Sequence, residues 1–461
     1  MTYEESVRAL MALGRELAAP QQARVQKFGL ANITTLAEAL GNPHRAAPCA
    51  HIAGTNGKGS TAAMLESILQ SAGLRTGLYT SPHLERINER IRIDGQDISD
   101  DQFAAAWTRV HSVIESLLAN GTLAAHPTYF ECITALAFVA FVEMRVNFAI
   151  YEVGLGGRLD ATNIVVPEVA VITSIDFDHE NFLGYSIAEI AGEKAGIIKP
   201  GAWVVSSAER SEARDVISRR CTEQGARLVE IDAAWRVEDQ SASDGRYRAV
   251  AVSAHSNQKI VLEPSLPGRF QIRNSLAAAT AGYLLAERGF SVTNGTIERG
   301  IRAAKWPGRL ERLCERPAVY LDGTHNPAGA KELLKFWEEN FSGRRILMVY
   351  GAMRDKAVDE IAGLLFPAAD FVIFTQPVQP RAISAPLLAE MTGHLAKTSI
   401  VVPDPADALE RAIDMASPED AVFVTGSLYL VGDLRSYWAR RNPSDVASRL
   451  LGFRNQPPQK H

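Results

Sequence analysis

Residues 51–60 read HIAGTNGKGS and stand between an apolar strand signal, CAHIA, and a helical pattern whose Ala62, Leu65, Ile68 and Leu69 share one face. A glycine-rich turn in that order lets backbone N–H groups wrap a phosphate at a helix N-terminus, with Lys58 adding charge and the Ser60 hydroxyl available to Mg²⁺. The spacing is not that of a Walker loop, which puts four residues between its first glycine and the Gly-Lys pair. Here only Thr55 and Asn56 intervene, and Gly59 separates Lys58 from Ser60.

Apolar, β-branched runs alternate with helical patterns over most of the chain, the signature of a parallel α/β architecture. Strands are expected at 49–53, 76–79, 147–153, 169–175 and 202–206. Capping boxes mark helix starts at Ser99 with Gln102, Thr128 with Glu131, and Ser186 with Glu189. Residues 246–262 read as an antiparallel hairpin added to this sheet, followed by a long helix from about 270 to 288. The segment KWPGRLE then interrupts the pattern with Pro307 and Gly308, and strands restart at 319–321, 346–350, 371–375, 399–402 and 421–425. Because 461 residues exceed what one core supports, the expectation is two α/β domains, 1–304 and 305–461.

A formal net charge of -5 leaves no basic footprint for nucleic acid, so an anionic substrate must be held by local cations. Cys49, Cys132, Cys221 and Cys314 lie far apart with no CxxC pair, which indicates neither a zinc site nor a disulfide framework and fits a reducing cytoplasm. The opening MTYEESVRAL lacks a secretory pattern. The strongest apolar run, 133–142, ends at Glu143, short of the roughly 20 residues a membrane span needs. The tail QPPQKH is expected to be disordered.

Further chemistry gathers at expected strand ends. In YEVGLGGRLDATN, residues 151–163, a dinucleotide fingerprint would want a glycine where Leu159 stands and a helix afterwards, so that reading is set aside. Glu152 there is either a hard ligand for Mg²⁺ or a solvated strand-end carboxylate. Asp176, Asp178 and His179 follow the strand at 169–175. Lys194 falls on the apolar stripe of Ile187, Ile190, Ala191 and Ile198, where a lysine is costly unless it is paired, neutralised or able to snorkel. In DGTHNP, Asn326 and Pro327 serve as a helix N-cap and first turn, which leaves Asp322 and His325 unexplained. Arg309 follows the break as a cation at a domain junction, or as an ordinary surface ion pair.

Together HIAGTNGKGS, TSPHLERINERI, TYFE, EVGLGGRLDATN, the DH and EKAGI segments, KWPGRLE, DGTHNP and VTGSLYLVG resemble the folylpolyglutamate synthase and dihydrofolate synthase family of the Mur ligase superfamily. The motifs run in order over nearly the whole chain. The resemblance implies an N-terminal P-loop ATPase domain with a mostly parallel sheet and a smaller Rossmann-like, glutamate-ligase domain. It implies ATP and Mg²⁺ as cofactors, and L-glutamate with a folate or dihydropteroate as substrates. The substrate carboxylate is phosphorylated, and the glutamate amine attacks the acyl phosphate.

By motif, the resemblance assigns Gly57, Lys58, Gly59 and Ser60 to the ATP phosphates, with Asn274, Arg309, Asp322 and His325 as further ATP contacts. It assigns Ser81, Glu152 and His179 to Mg²⁺, makes Lys194 a carbamylated lysine, and joins Lys58, Glu152, His179 and Lys194 as the catalytic group. The pterin acid is assigned to Thr128, Tyr129, Phe130 and Glu131 and to Leu159, Asp160 and Ala161, although Thr128 and Glu131 also form a capping box. The family's folate-contacting segment near the N-terminus reads LANI here, at residues 30–33. Closure about the segment near Lys305 is expected to exclude water from the acyl phosphate. The expected partners are small molecules only, acting on a cytoplasmic monomer with neither nucleic acid nor membrane.

Other readings fit less well. A muramyl-peptide ligase needs a dedicated N-terminal domain, whereas fewer than 50 residues precede the first strand. A nucleotide-binding regulator without catalysis is disfavoured by Lys58, Glu152, His179 and Lys194, and a NAD-dependent dehydrogenase by its missing glycine pattern.

Overall fold

The computed structural model describes residues 1–14, 29–256, 258–354 and 356–442, and the tail QPPQKH lies outside them. The chain divides into two compact units, Met1–Trp306 and Pro307–His461.

The first unit is built on β1 (Cys49–Ala53), β2 (Thr76–Tyr79), β3 (Ile91–Ile93), β4 (Gln96–Asp97), β5 (Phe148–Glu152), β6 (Val169–Ile172), β7 (Trp203–Ser206) and β8 (Arg227–Glu230). Their order is β4-β3-β2-β5-β1-β6-β7-β8. Every pairing from β2 through β8 is parallel, while β3 and β4 extend the edge antiparallel. All five residues of β1 are buried, because a central parallel strand is covered on both faces. Side-chain alternation then divides them: Ala50 and Ile52 join Leu65, Ile68 and Leu276 in one core, and Cys49 joins Trp107, Phe138 and Tyr151 in another.

The apolar run at 133–142 lies in the helix Tyr129–Glu143, buried along most of its length. Among the described residues no helix is long and apolar enough to cross a membrane.

Residues 246–262 do not extend the main sheet. With β9 (Trp235–Ser243) they form a separate antiparallel sheet of β9, β10 (Arg246–Ser253) and β11 (Lys259–Leu262). Tyr247, Ala249, Ala251, Ile260 and Leu262 turn one apolar face onto the core shared with the helix Phe270–Glu287. Helix packing satisfies that face, so an edge pairing with β8 is not required. β9 was unreadable because its WRVEDQSAS is mostly polar and held by backbone pairing to β10.

The second unit carries β12 (Glu311–Glu315), β13 (Ala318–Leu321), β14 (Ile346–Tyr350), β15 (Phe371–Phe374), β16 (Ser399–Val401) and β17 (Ala421–Thr425), ordered β12-β13-β17-β14-β15-β16. Only β12 is antiparallel to its neighbour. Asn326 caps the helix Pro327–Asn340, its side chain accepting from the Gly329 N–H at 2.8 Å.

Candidate active site

Four neighbouring parallel strands, β2, β5, β1 and β6, end on the same edge of the first sheet, where open α/β folds gather ligand-binding groups. Ser81 follows β2, Glu152 closes β5, the glycine loop follows β1, and Asp176, Asp178 and His179 follow β6. The register fixes their relative depth, since Ile52 pairs with Glu152 and Ala53 with Ile172.

The loop is sewn to the segment after β6. The Thr55 N–H donates to the Ser174 carbonyl at 2.7 Å and its hydroxyl to the Asp176 carbonyl at 2.9 Å. The Thr173 hydroxyl donates to the Asn56 carbonyl at 2.7 Å. From the other side comes the helix Phe270–Glu287. Gln271 donates to the Ser60 hydroxyl oxygen at 3.3 Å, and Asn274 donates to Gln271 at 2.9 Å. Gly57 has φ +84, and a Cβ there would lie 2.4 Å from the Asn274 side-chain oxygen. At Gly59 a Cβ would strike the Trp306 ring at 2.7 Å. Both positions therefore need glycine, one for its backbone angle and both for close approach. Sequence reasoning missed Thr173, Gln271 and Trp306. A lone polar or aromatic residue more than 100 positions away carries no local sign of this contact.

Two lysines converge on one carbonyl. Lys58 Nζ donates to Gly54 O at 3.0 Å and to Thr55 O at 3.2 Å, and Lys194 Nζ donates to Gly54 O at 2.9 Å. Lys194 is only 3% exposed. Burial, reinforced by the nearby Lys58 charge and opposed by Asp178 and Glu193, lowers its pKa to about 7. The apolar stripe thus hides a lysine with no direct carboxylate partner at its nitrogen among the described residues: Glu193, next in sequence, pairs with Arg158 at 2.9 Å.

Glu152 is buried and accepts from the Ser81 N–H at 3.2 Å. His179 has a left-handed backbone, φ 52, and its Nε2 lies 3.7 Å from Asp178 Oδ1. Asp176 is held by Arg210 at 2.8 Å. The buried Glu152 carboxylate supplies the hard oxygens Mg²⁺ prefers, and Ser81, whose N–H it accepts, carries a hydroxyl of the same kind. That ion takes few protein ligands and fills the rest of its shell with water and phosphate oxygens. The donor set therefore fits it.

The two segments assigned to the acid are brought together. The Phe130 ring sits where a Cβ on Gly154 would come within 2.4 Å, and the Gly154 and Leu155 N–H groups each donate to Asp160 at 3.0 Å. Asp160 also accepts from the Thr162 N–H and hydroxyl, and that hydroxyl lies 2.8 Å from His51 Nε2 in β1. Burial pushes the Asp160 carboxyl pKa up while these donors pull it down. Both its oxygens are used to shape the loop, leaving half-exposed Leu159 and buried Ala161 beside it. Asp160→Asn turns an acceptor into a donor among buried donors, so urea unfolding is expected to show a loss of about 1–3 kcal/mol. Glu131 is likewise occupied, accepting the Thr128 N–H at 2.8 Å and hydroxyl at 2.9 Å. Tyr129 is buried under Arg90, whose guanidinium lies 5.6 Å from its ring centre. In the segment LANI, Leu30 precedes the helix Ala31–Ala39 and Ile33 is core.

In the second unit Asp322 follows β13, buried, and accepts the Leu310 and Thr324 N–H groups at 3.0 and 3.1 Å. His325 Nδ1 lies 2.8 Å from the Gly323 carbonyl oxygen, and a Cβ on that glycine would meet the Arg309 guanidinium at 3.1 Å. Arg309, Asp322 and His325 thus share one strand end.

Comparison with known proteins matches the Mur ligase middle domain to residues 52–282 and the Mur ligase glutamate ligase domain to residues 308–428. The dihydrofolate synthase/folylpolyglutamate synthase of Bacillus subtilis is 37% identical over 89% of this chain and 94% of its own length. Its Escherichia coli counterpart is 35% identical over 88% and 90%. Among solved structures, Mycobacterium tuberculosis folylpolyglutamate synthase with ADP and AMPPCP superposes with a TM-score of 0.84 at 31% identity, covering 94% of this chain and 99% of that one. Escherichia coli FolC with DHPP and ADP gives 0.82 at 31%, covering 96% and 99%.

Proposed function

Because the chain belongs to the folylpolyglutamate synthase family of the Mur ligase superfamily and is an ATP-dependent ligase of glutamate onto folates, we propose that its β2-β5-β1-β6 edge phosphorylates the folate carboxylate. The γ-phosphoryl group passes from ATP to the carboxylate oxygen and ADP leaves. The glutamate amine then adds to the acyl carbon, and the tetrahedral intermediate expels phosphate to leave an amide.

The observation that carries this reading is the meeting of Lys58 and Lys194 on the Gly54 carbonyl, beside Glu152 and under the loop glycines. Phosphoryl transfer asks a protein for positioning and for charge placed where the phosphate oxygens lie. Loop N–H groups from Gly57 to Ser60 supply donors, and Lys58 turns from its own loop carbonyls to the phosphate. Ser81, Glu152 and His179 would hold Mg²⁺, which when bound neutralises charge on the phosphate oxygens. Asn274, Arg309, Asp322 and His325 are the further ATP contacts of this reading.

Lys194 acts as a carbamate in this reading. A buried amine with a pKa of about 7 is in large part unprotonated at neutral pH. Its nitrogen adds to carbon dioxide and loses a proton, and the resulting anion attracts Lys58 where the ammonium repelled it. Thr128, Tyr129, Phe130 and Glu131 with Leu159, Asp160 and Ala161 shape the wall for the acid. Dihydropteroate is a second acceptor, a reading supported by relatives that carry both names. The enzyme works as a cytoplasmic monomer, and a reducing compartment suits its four free thiols.

Incubation with ATP, Mg²⁺ and labelled glutamate is expected to label tetrahydrofolate and dihydropteroate, with matching ADP release. Label on tetrahydrofolate alone would remove the second activity, and label on neither would remove the assignment.

A further inference from the structure

On the helix Asp100–Ala119, His111 and Glu115 stand four residues apart and so rise from one face. His126, in the loop leading to Thr128, lies beside them, and one ligand atom from each of the three falls within 4.8 Å of the other two. His111 Nδ1 is shut off from solvent and has no hydrogen-bond partner among the described residues. The Glu115 carboxylate oxygen is 4.0 Å from it, too far for a hydrogen bond. Stacking on Trp107, at 5.5 Å and 24°, holds the His111 ring plane.

His126 supplies the second indication. Its Nδ1 lies 2.7 Å from the Pro127 carbonyl oxygen, a contact that only a protonated Nδ1 satisfies, which leaves the Nε2 lone pair for another partner. Metal-bound imidazoles ordinarily donate their second ring nitrogen to a carbonyl or carboxylate in this way. Two imidazole nitrogens and one carboxylate form a ligand set of open zinc sites and suit late first-row metals far better than Mg²⁺. Tetrahedral zinc draws its ligand atoms to roughly 3.4 Å apart. Closing from 4.8 Å asks only for adjustments of the exposed Glu115 and half-exposed His126.

We propose that His111, Glu115 and His126 bind a divalent transition-metal ion, zinc by preference, which ties the helix Asp100–Ala119 to the loop before Thr128. The site is separate from the strand-end residues proposed for Mg²⁺.

Cobalt(II) titration of the metal-free full chain is the test, because tetrahedral Co²⁺ coordination gives a visible band. The wild type is expected to show that band, and its thermal midpoint is expected to rise with added Zn²⁺. Glu115→Gln/His126→Ala changes residues outside the proposed catalytic group. It should bind one equivalent of Co²⁺ fewer, lose the Zn²⁺-dependent rise and keep its ligase activity, while Glu115→Gln alone weakens Co²⁺ binding about tenfold or more. Glu152→Gln serves as the control for metal held at the strand ends and should retain the band. Equal Co²⁺ binding by the wild type and the double variant, or loss of the band in Glu152→Gln instead, would overturn the proposal.

Discussion

Lys194→Met is expected to cut turnover about 10³-fold, the scale on which a preorganised charged group in a phosphoryl-transfer site contributes. The same substitution is expected to make the ligand-free protein more stable, because a buried ammonium beside Lys58 is replaced by an apolar chain of similar length. The sign of the pH dependence follows from the lowered pKa. Below about 7 both the folded and unfolded lysine are protonated, and the full destabilisation is present. From about 7 up to 10.5 the unfolded chain binds the extra proton, so wild-type stability climbs with pH. The advantage of the variant should therefore be largest at neutral pH and below, and shrink toward pH 10.5. Thermal melts across this range check it, with ADP release for turnover. A variant that loses activity and also melts lower at pH 7 would mean that the Lys194 contact with Gly54 outweighs the buried charge.

Gly57→Ala is expected to lower kcat/KM for ATP about 100-fold, as small displacements of positioned groups do. The added methyl demands a left-handed backbone, at a cost of about 1–2 kcal/mol, and it would stand 2.4 Å from the Asn274 oxygen. A second substitution, Asn274→Gly, clears the space without changing φ, so Gly57→Ala/Asn274→Gly should recover stability only in part. Full recovery would show that the contact alone requires glycine there. Nucleotide titrations and urea unfolding of the three variants separate the two effects.

Much of the fold could be read from the chain because its central strands announce themselves. CAHIA, ILMVY and AVFVT are apolar runs bounded by turn residues, and each forms a fully buried strand. The three capping boxes were equally local, since donor and acceptor lie three residues apart. Edge elements were not legible in the same way. β8, with the sequence RLVE, is half-exposed, and β12, with the sequence ERLCE, mixes charged with apolar residues and starts directly behind the Pro307-Gly308 break. β3 and β4 had a readable sign in Asp94-Gly95, both with positive φ at the hairpin turn.

In the site the divide is similar. Motif residues stood out because unusual types clustered at strand ends. The groups that shape them, Thr173, Gln271 and Trp306, arrive from distant segments and look ordinary where they stand.

The strand order also sets when this site can exist during folding. β1 has no neighbour near it in sequence: its partners are β5 and β6, about 100 or more residues further along, and β2 reaches it only through β5. Closing such loops costs entropy before any pairing compensates, which makes parallel sheets of this kind slow to assemble. A chain emerging from the ribosome therefore carries HIAGTNGKGS as an unframed peptide until Ile172 has been added. Until then the apolar CAHIA segment waits with both edges open, a hazard that chaperones exist to cover.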